Sequence, residues 1–319
     1  MAADVRLPGK SITFHFIAVR FGAVLVLAGT LAAGYLFVIR PHALQWGATA
    51  DEVASVLPDD QVVKHPAFDA TRAITIRGQP EDIWPWLVQM GYHRAGFYGY
   101  DLIENIGSSS GLRSADAIVP ALQHPEPGDR LPISAAATLV FGPIDPDKRL
   151  VWLGTEKPPD GVYIWALVPM DAQHTRLISR IRWRYQHSTS GVLLGVFTEF
   201  GDSVAVREIL RGVRDRVEGR EPKPLWMEAV EMASWFLALL ELGAGFVFIL
   251  RWQRWMHAWI VALGAGVLVL FVLYSSLPVW ATAPLPWLYL GAIMWQRRRE
   301  RWFRSRILAA ASSSGPVAH

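Results

Sequence analysis

Residues 21–39 read FGAVLVLAGTLAAGYLFVI, with no charged side chain between Arg20 and Arg40. A helix needs about 20 apolar residues to cross the hydrocarbon core of a bilayer. The run is longer than the roughly 7–15 residues of a leader peptide's apolar stretch, so it reads as an uncleaved anchor. This segment, more than any other, limits the chain to folds that place part of it in lipid.

Three more apolar runs lie at the other end, at 229–250, 256–275 and 279–295, the last interrupted by Pro284 and Pro286. Charged residues are only 18% of the chain, against about 25% in soluble domains. Trp226, Trp235, Trp252, Trp255, Trp259, Trp280, Trp287 and Trp295 cluster near the run ends, as interfacial aromatic belts do. About four transmembrane helices are therefore expected. With four, the short-loop bases all fall on one side: Arg6, Lys10 and Arg20, then Arg251 and Arg254, then the cluster from Arg297 to Arg306. That side is the cytoplasmic one by the positive-inside rule, leaving 41–228 outside. The division expected is an anchor at 1–40, a linker at 41–61, a polar domain at 62–221, a membrane domain at 222–306 and a disordered tail at 307–319. The absence of Cys excludes disulfides and thiolate chemistry. Many Arg, few Lys and a single Asn, Asn105, match a GC-rich bacterial coding bias, so the net charge of +3 does not argue for a nucleic-acid partner.

Within the polar domain, Ile74 and Ile76 alternate with Thr75 and Arg77, a strand pattern over 68–77. Pro80, Glu81 and Asp82 then open a helix, placing acids where its dipole favours them. The segment beginning at Tyr98 opens a second short helix. Further strands are expected at 139–141, 150–155, 161–169 and 175–186. In the last, Leu177, Ser179, Ile181, Trp183 and Tyr185 share a face that reads as buried, opposite Arg176, Ile178, Arg180, Arg182 and Arg184, which read as solvated. Apolar residues from Leu194 to Val213 recur at helical spacing and predict one long closing helix. The fold class is α+β, with an antiparallel sheet against that helix.

The sequence TRAITIRGQPEDIWPWLVQMGYHRAGFYGYDLIENIG, the strand HTRLISRIRWRY and the order of elements resemble the helix-grip superfamily of START and polyketide-cyclase-like domains, known as SRPBCC. The likeness covers about 62–219 and none of the membrane runs. It implies an apolar cavity between sheet and long helix for a lipid or other hydrophobic small molecule. The superfamily also contains enzymes, so the resemblance leaves binding and catalysis open.

Several motifs fail on context. Gly107 to Gly111 match G-x-S-x-G but follow a helix, where a nucleophile elbow needs a strand. Gly9, Lys10 and Ser11 lack the first glycine of a phosphate loop, and no histidine pair has metal-ligand spacing, so neither metal nor cofactor is expected. The candidate ligand-binding residues are Trp86, Gln89, His93, Tyr98, Tyr100, Asp101, Glu104 and Asn105 at the cavity mouth, with Trp183 and Phe200 in its lining. No catalytic residue is assigned. The leading expectation is a multi-pass bacterial membrane protein whose outward domain binds a hydrophobic ligand from the adjacent bilayer. One alternative is a cyclase-, aromatase- or hydrolase-like enzyme using the 98–105 cluster. A second is a structural or signalling protein whose domain binds another protein, its cavity filled by side chains. Glu241, alone in mid-helix, reads as a packing or partner contact rather than part of a transport path.

Overall fold

The computed structural model describes the backbone of residues 10–184, 189–251, 255–275, 279–282 and 284–313. It describes their side chains except at 10–16, 189–194, 196–197, 279–280, 300, 303–304 and 306–313. The chain forms two compact units, one from Arg40 to Ala229 and one from the segments on either side of it.

The Arg40–Ala229 unit holds a six-stranded antiparallel sheet in the order β1-β6-β5-β4-β3-β2. Its strands are β1 (Phe68–Arg77), β2 (Arg130–Pro132), β3 (Thr138–Asp145), β4 (Arg149–Leu153), β5 (Gly161–Pro169) and β6 (His174–Trp183). The β5–β6 hairpin closes on Asp171, whose Oδ1 accepts the backbone N–H groups of Gln173 and His174 at 2.7 and 2.8 Å. That turn fixes the register in which Gly161 faces Trp183. A Cβ at Gly161 would lie 2.0 Å from the Trp183 ring, so the indole can fold over the strand only at glycine.

Before the sheet come the one-turn helices α2 (Arg40–Leu44) and α3 (Ala50–Ala54). Two helices, α4 (Pro80–Val88) and α5 (Asp101–Glu104), link β1 to the far edge of the sheet. At the start of α4, Asp82 Oδ2 accepts the Gln79 N–H at 2.9 Å and Pro80 occupies the first turn, so no donor is wasted there. The chain then closes with α6 (Thr189–Val217), 29 residues long, whose Val206, Leu210 and Val213 join a core with Phe68, Ile76, Leu87, Phe141, Trp152 and Trp165. The long helix is packed on the inward face of the sheet. Of the expected 175–186 strand, residues 185 and 186 lie outside the described residues.

The outer sheet face is not solvated. Residues 41–61, expected to be a linker, fold across it. Leu57, Val62 and Val63 pack on Val151, Val162 and Ile164, and Ala48 packs on Ala73, Ala166 and Ile178. The arginines of β6 hold this strap. Arg180, 3% exposed, donates Nη1 to Asp60 Oδ2 at 2.7 Å and Nη2 to the Glu52 carbonyl at 2.6 Å. Arg176 Nε reaches Glu52 Oε1 at 2.7 Å, and Arg182 Nη1 reaches the Asp60 carbonyl at 2.7 Å. Alternation reports polarity along one strand. It carries no sign of acids supplied more than a hundred residues upstream.

The second unit contains α1 (Lys10–Gly34), which runs on through the π-helical turn Tyr35–Ile39 as far as the boundary, and α7 (Leu225–Arg251), which enters it at Val230. It also contains α8 (Trp255–Tyr274), α9 (Val279–Thr282) and α10 (Pro284–Ser313). Leu27 of α1 packs against Ile249, Ala258 and Ala262. Small residues permit close approach: a Cβ at Gly245 would lie 2.4 Å from that of Ala262. Three helices are long and apolar enough to span a membrane, Ile17–Leu44, Leu225–Arg251 and Trp255–Tyr274. The expected fourth span is not among them. The apolar part of α10 ends before Arg297, and its roughly 13 residues rise only about 20 Å against a core of about 30 Å. With three spans, the loop-charge argument for an outward-facing 41–228 segment no longer closes. The helix α10 continues to Ser313, into the stretch expected as a tail, and residues 314–319 lie outside the described residues. Trp226, Trp287 and Trp295 are at least half exposed, and Trp259 donates to the Ala23 carbonyl at 3.1 Å. The side chains of Trp252 and Trp280 lie outside the described residues.

Candidate functional site

The sequence-predicted cluster divides on folding. Gln89 caps the C-terminal end of α4 and is fully buried. Its Nε2 donates to Tyr98 Oη at 2.9 Å, and its Oε1 accepts from the Val119 N–H at 2.9 Å and from Gln123 Nε2 at 3.1 Å. Tyr98 Oη donates to the Trp86 carbonyl at 3.1 Å, its ring meets Trp86 edge-on, and the Arg216 guanidinium lies 4.3 Å from its centroid. Burial raises the Tyr98 phenol pKa, so this hydroxyl stays a donor. Asp101 Oδ1 accepts from Ser114 Oγ at 2.5 Å and from Asn105 Nδ2 at 3.0 Å. These polar atoms bind one another and pin the 114–123 loop.

Glu104 has the most perturbed carboxyl in this cluster. Its Oε2 accepts the Gly99 N–H at 3.2 Å, while Oε1 is buried with no hydrogen-bond partner among the described residues. Burial pushes its pKa up to about 8. The backbone N–H groups of Tyr100 and Gly99 oppose the shift, and Asp101 and Glu228 add to it. Near neutral pH it is an acid able to donate a proton. Tyr100 is buried beneath the Lys223 ammonium, 4.8 Å from its ring centroid. His93 is on the surface, its Nδ1 accepting the Ser109 N–H at 2.8 Å. Trp183 lies over Gly161 at the end of β6, and Phe200 is half-buried on α6.

A second polar group, missed in the sequence, lies between sheet and α6. Arg72, 0% exposed, donates Nη1 to Asp202 Oδ2 at 2.6 Å, Nη2 to Ser203 Oγ at 3.0 Å and Nε to the Ala43 carbonyl at 2.8 Å. Beside it Arg40 and Glu199 form a two-pronged pair at 2.6 and 2.9 Å. Tyr163 Oη donates to Asp202 Oδ1 at 3.4 Å, and burial raises the Asp202 carboxyl pKa against the pull of Arg72. The Tyr163 ring stacks on Trp165, with centroids 5.2 Å apart, and Trp152 meets both. Trp152 and Trp165 are 3% and 1% exposed, and neither indole N–H has a hydrogen-bond partner among the described residues. A signal for Arg72 was present: it shares the even positions of β1 with Phe68, Ala70, Ile74 and Ile76.

No family model matches the chain, and no curated protein matches it. Solved structures do align with about half of it. Protein MLL2253 from Mesorhizobium loti is 16% identical over 48% of this chain and 99% of its own, with a TM-score of 0.31. A Thermobifida fusca protein is 14% identical over 48% and 97%, also at 0.31. The Polyketide_cyc-like protein Cgl2372 from Corynebacterium glutamicum is 10% identical over 47% and 91%, again at 0.31. A likeness of this size carries no argument about what this chain binds or does.

Proposed function

We propose that residues 62–221 are an SRPBCC-type helix-grip domain that binds a lipid or other hydrophobic small molecule between the sheet and α6. The membrane helices on either side in sequence tether it to a bacterial membrane. The observation that carries the reading is the pair of buried, unpartnered indole N–H groups of Trp152 and Trp165. An unpaired buried donor costs about 1–3 kcal/mol, a cost that a ligand's acceptor atom relieves. The two donors and their aromatic surroundings fit a mostly apolar ligand that presents carbonyl, ester or ether oxygen.

Large side chains fill much of this layer, the feature expected of a domain that binds another protein, so binding a small molecule here requires them to shift. Native mass spectrometry of the full chain, released gently from its membrane, tests the reading. The expected result is a bound lipid-like mass that the Trp152→Phe and Trp165→Phe variants each hold roughly three- to tenfold more weakly. Wild-type protein that carries no such mass and takes up none from an offered lipid extract contradicts the reading and favours a domain that binds another protein.

A second reading, a cyclase-, aromatase- or hydrolase-like enzyme, is favoured by Glu104, an acid kept protonated near neutral pH beside Tyr100 and Asp101. Turnover of a bound ligand that Glu104→Gln abolishes while leaving binding intact supports it.

A further inference from the structure

From α5 to residue 113 the chain turns its large aliphatic side chains outward: Ile103 is 55% exposed, Ile106 63% and Leu112 43%. Exposed apolar residues scattered singly are ordinary, whereas a cluster held in place marks an interaction surface. This cluster is held from within. Tyr92 Oη donates to the Ile106 carbonyl at 2.8 Å. Asn105, 1% exposed, donates Nδ2 to Asp101 Oδ1 at 3.0 Å and to the Leu112 carbonyl at 3.3 Å. The Ser109 N–H donates to His93 Nδ1 at 2.8 Å. The amide and the carboxylates of this stretch are therefore inside and its isoleucines outside, the reverse of what water favours. Between 102 and 113 the sequence holds two charges, Glu104 and Arg113. The Glu104 carboxyl is turned inward onto the Gly99 N–H, so the outward charge is the exposed Arg113.

The position of the cluster names its occupant. The Leu102 N–H donates to Glu228 Oε2 at 3.1 Å, and Glu228 lies in the first turn of α7, just before the apolar run that starts at Ala229. Tyr100, at the near end of the same stretch, is covered by Lys223, two residues before α7 begins. Trp226, in that first turn, is 66% exposed, an aromatic residue where a bilayer interface favours one. The aliphatic cluster is thus continuous, within the Arg40–Ala229 unit, with the point where the chain passes into a helix long and apolar enough to span a membrane. With α7 in lipid, the surface that meets this point is the bilayer. Its headgroups accept aliphatic side chains beneath a basic one.

We propose that Ile103, Ile106 and Leu112 form a membrane-docking edge, seated in the interfacial layer of the bilayer with Arg113 at the level of the phosphates. The inference rests on the membrane tether proposed above and not on the ligand. It adds a second attachment, made by the polar domain itself, on whichever leaflet the start of α7 meets.

The chain has no cysteine, so single replacements can each carry a nitroxide. Ile103→Cys, Ile106→Cys and Leu112→Cys report on the edge, Met170→Cys on the β5–β6 turn as an aqueous reference, and Leu240→Cys on α7. The full chain is placed at one copy per nanodisc of phosphatidylcholine and phosphatidylglycerol. Power-saturation electron paramagnetic resonance then compares collision with oxygen, which concentrates in lipid, and with a nickel chelate, which stays in water. The three edge labels should be rich in oxygen contact and poor in nickel contact, about 5–10 Å below the phosphates, while Met170→Cys meets nickel freely. Adding Ile103→Ser and Ile106→Ser to the Leu112→Cys protein should lower the ratio of docked to free label by about tenfold per side chain. Edge labels as open to nickel as Met170→Cys, with Leu240→Cys in lipid, overturn the docking edge and leave the tether standing. Edge labels shielded from both probes lie against protein and overturn it as well. A Leu240→Cys label in water overturns the tether, and this inference with it.

Discussion

Arg180 and Asp60 pair across the outer face of the sheet at 2.7 Å, with Arg180 almost wholly buried. The contact joins β6 to a segment 120 residues earlier and turns an apparent linker into the second layer of the domain. Arg180→Met should destabilise the Arg40–Ala229 unit by about 3–5 kcal/mol, because Asp60 is left buried without its partner. Breaking the more accessible Arg176–Glu52 pair with Glu52→Gln should cost about 1 kcal/mol or less. Denaturant unfolding gives both values, and hydrogen exchange should show residues 49–62 losing protection first in Arg180→Met. Equal effects from the two variants would contradict this.

Gly212 lies inside α6, near its C-terminal end, where replacing glycine by alanine ordinarily stabilises a helix by about 1 kcal/mol. Here a Cβ would lie 2.0 Å from the Tyr98 carbonyl oxygen and 2.7 Å from its Cβ. Gly212→Ala is therefore expected to destabilise by roughly 1–3 kcal/mol, measured by thermal or denaturant unfolding. A gain in stability would mean that α6 does not pack this closely on Tyr98.

Glu104 gives the unit a pH dependence of definite sign. Its folded pKa of about 8 lies above the ordinary 4.5, so the folded state holds the proton more tightly than the unfolded chain. The stability it contributes is present in full below about pH 4.5 and is lost as pH rises toward 8, at up to about 1.4 kcal/mol per pH unit. Glu104→Gln, which stays neutral, should flatten that slope between those limits. Urea unfolding at several pH values reads it directly, and an unchanged slope would move the burial to another carboxyl.

Arg72 is locked by three different partners, so its shape matters as well as its charge. Arg72→Lys keeps the charge and loses the fork that reaches Asp202, Ser203 and the Ala43 carbonyl together. It should destabilise by about 2–4 kcal/mol in denaturant unfolding, close to the effect of Arg72→Met. A lysine variant as stable as wild type would show that charge alone holds the site.

The periodicity of β1, β5 and β6 and the helical repeat of α6 were legible because each rests on contacts along one local face. The apolar runs of α1, α7 and α8 were legible from composition alone. The strap was not, since its contacts with Arg176, Arg180 and Arg182 depend on acids distant in sequence. The three-residue strand β2 is too short to carry a period. The polar-aromatic stretch did show where side chains such as Gln89, Tyr98 and Asp101 gather, but not that their hydrogen bonds would be made to one another. The two free indole donors could not be read at all, because satisfaction of a buried group is a property of the folded neighbourhood.

The most direct test of the binding account is nuclear magnetic resonance of the indole groups in full-length protein labelled with nitrogen-15 tryptophan, in lipid nanodiscs. Trp152→Phe and Trp165→Phe assign the two signals. Adding the lipid-like ligand identified by mass spectrometry should shift both N–H resonances downfield together, as donors do on gaining an acceptor, and leave the exposed Trp226 signal in place. Ligand that binds while both resonances stay unmoved would contradict the account.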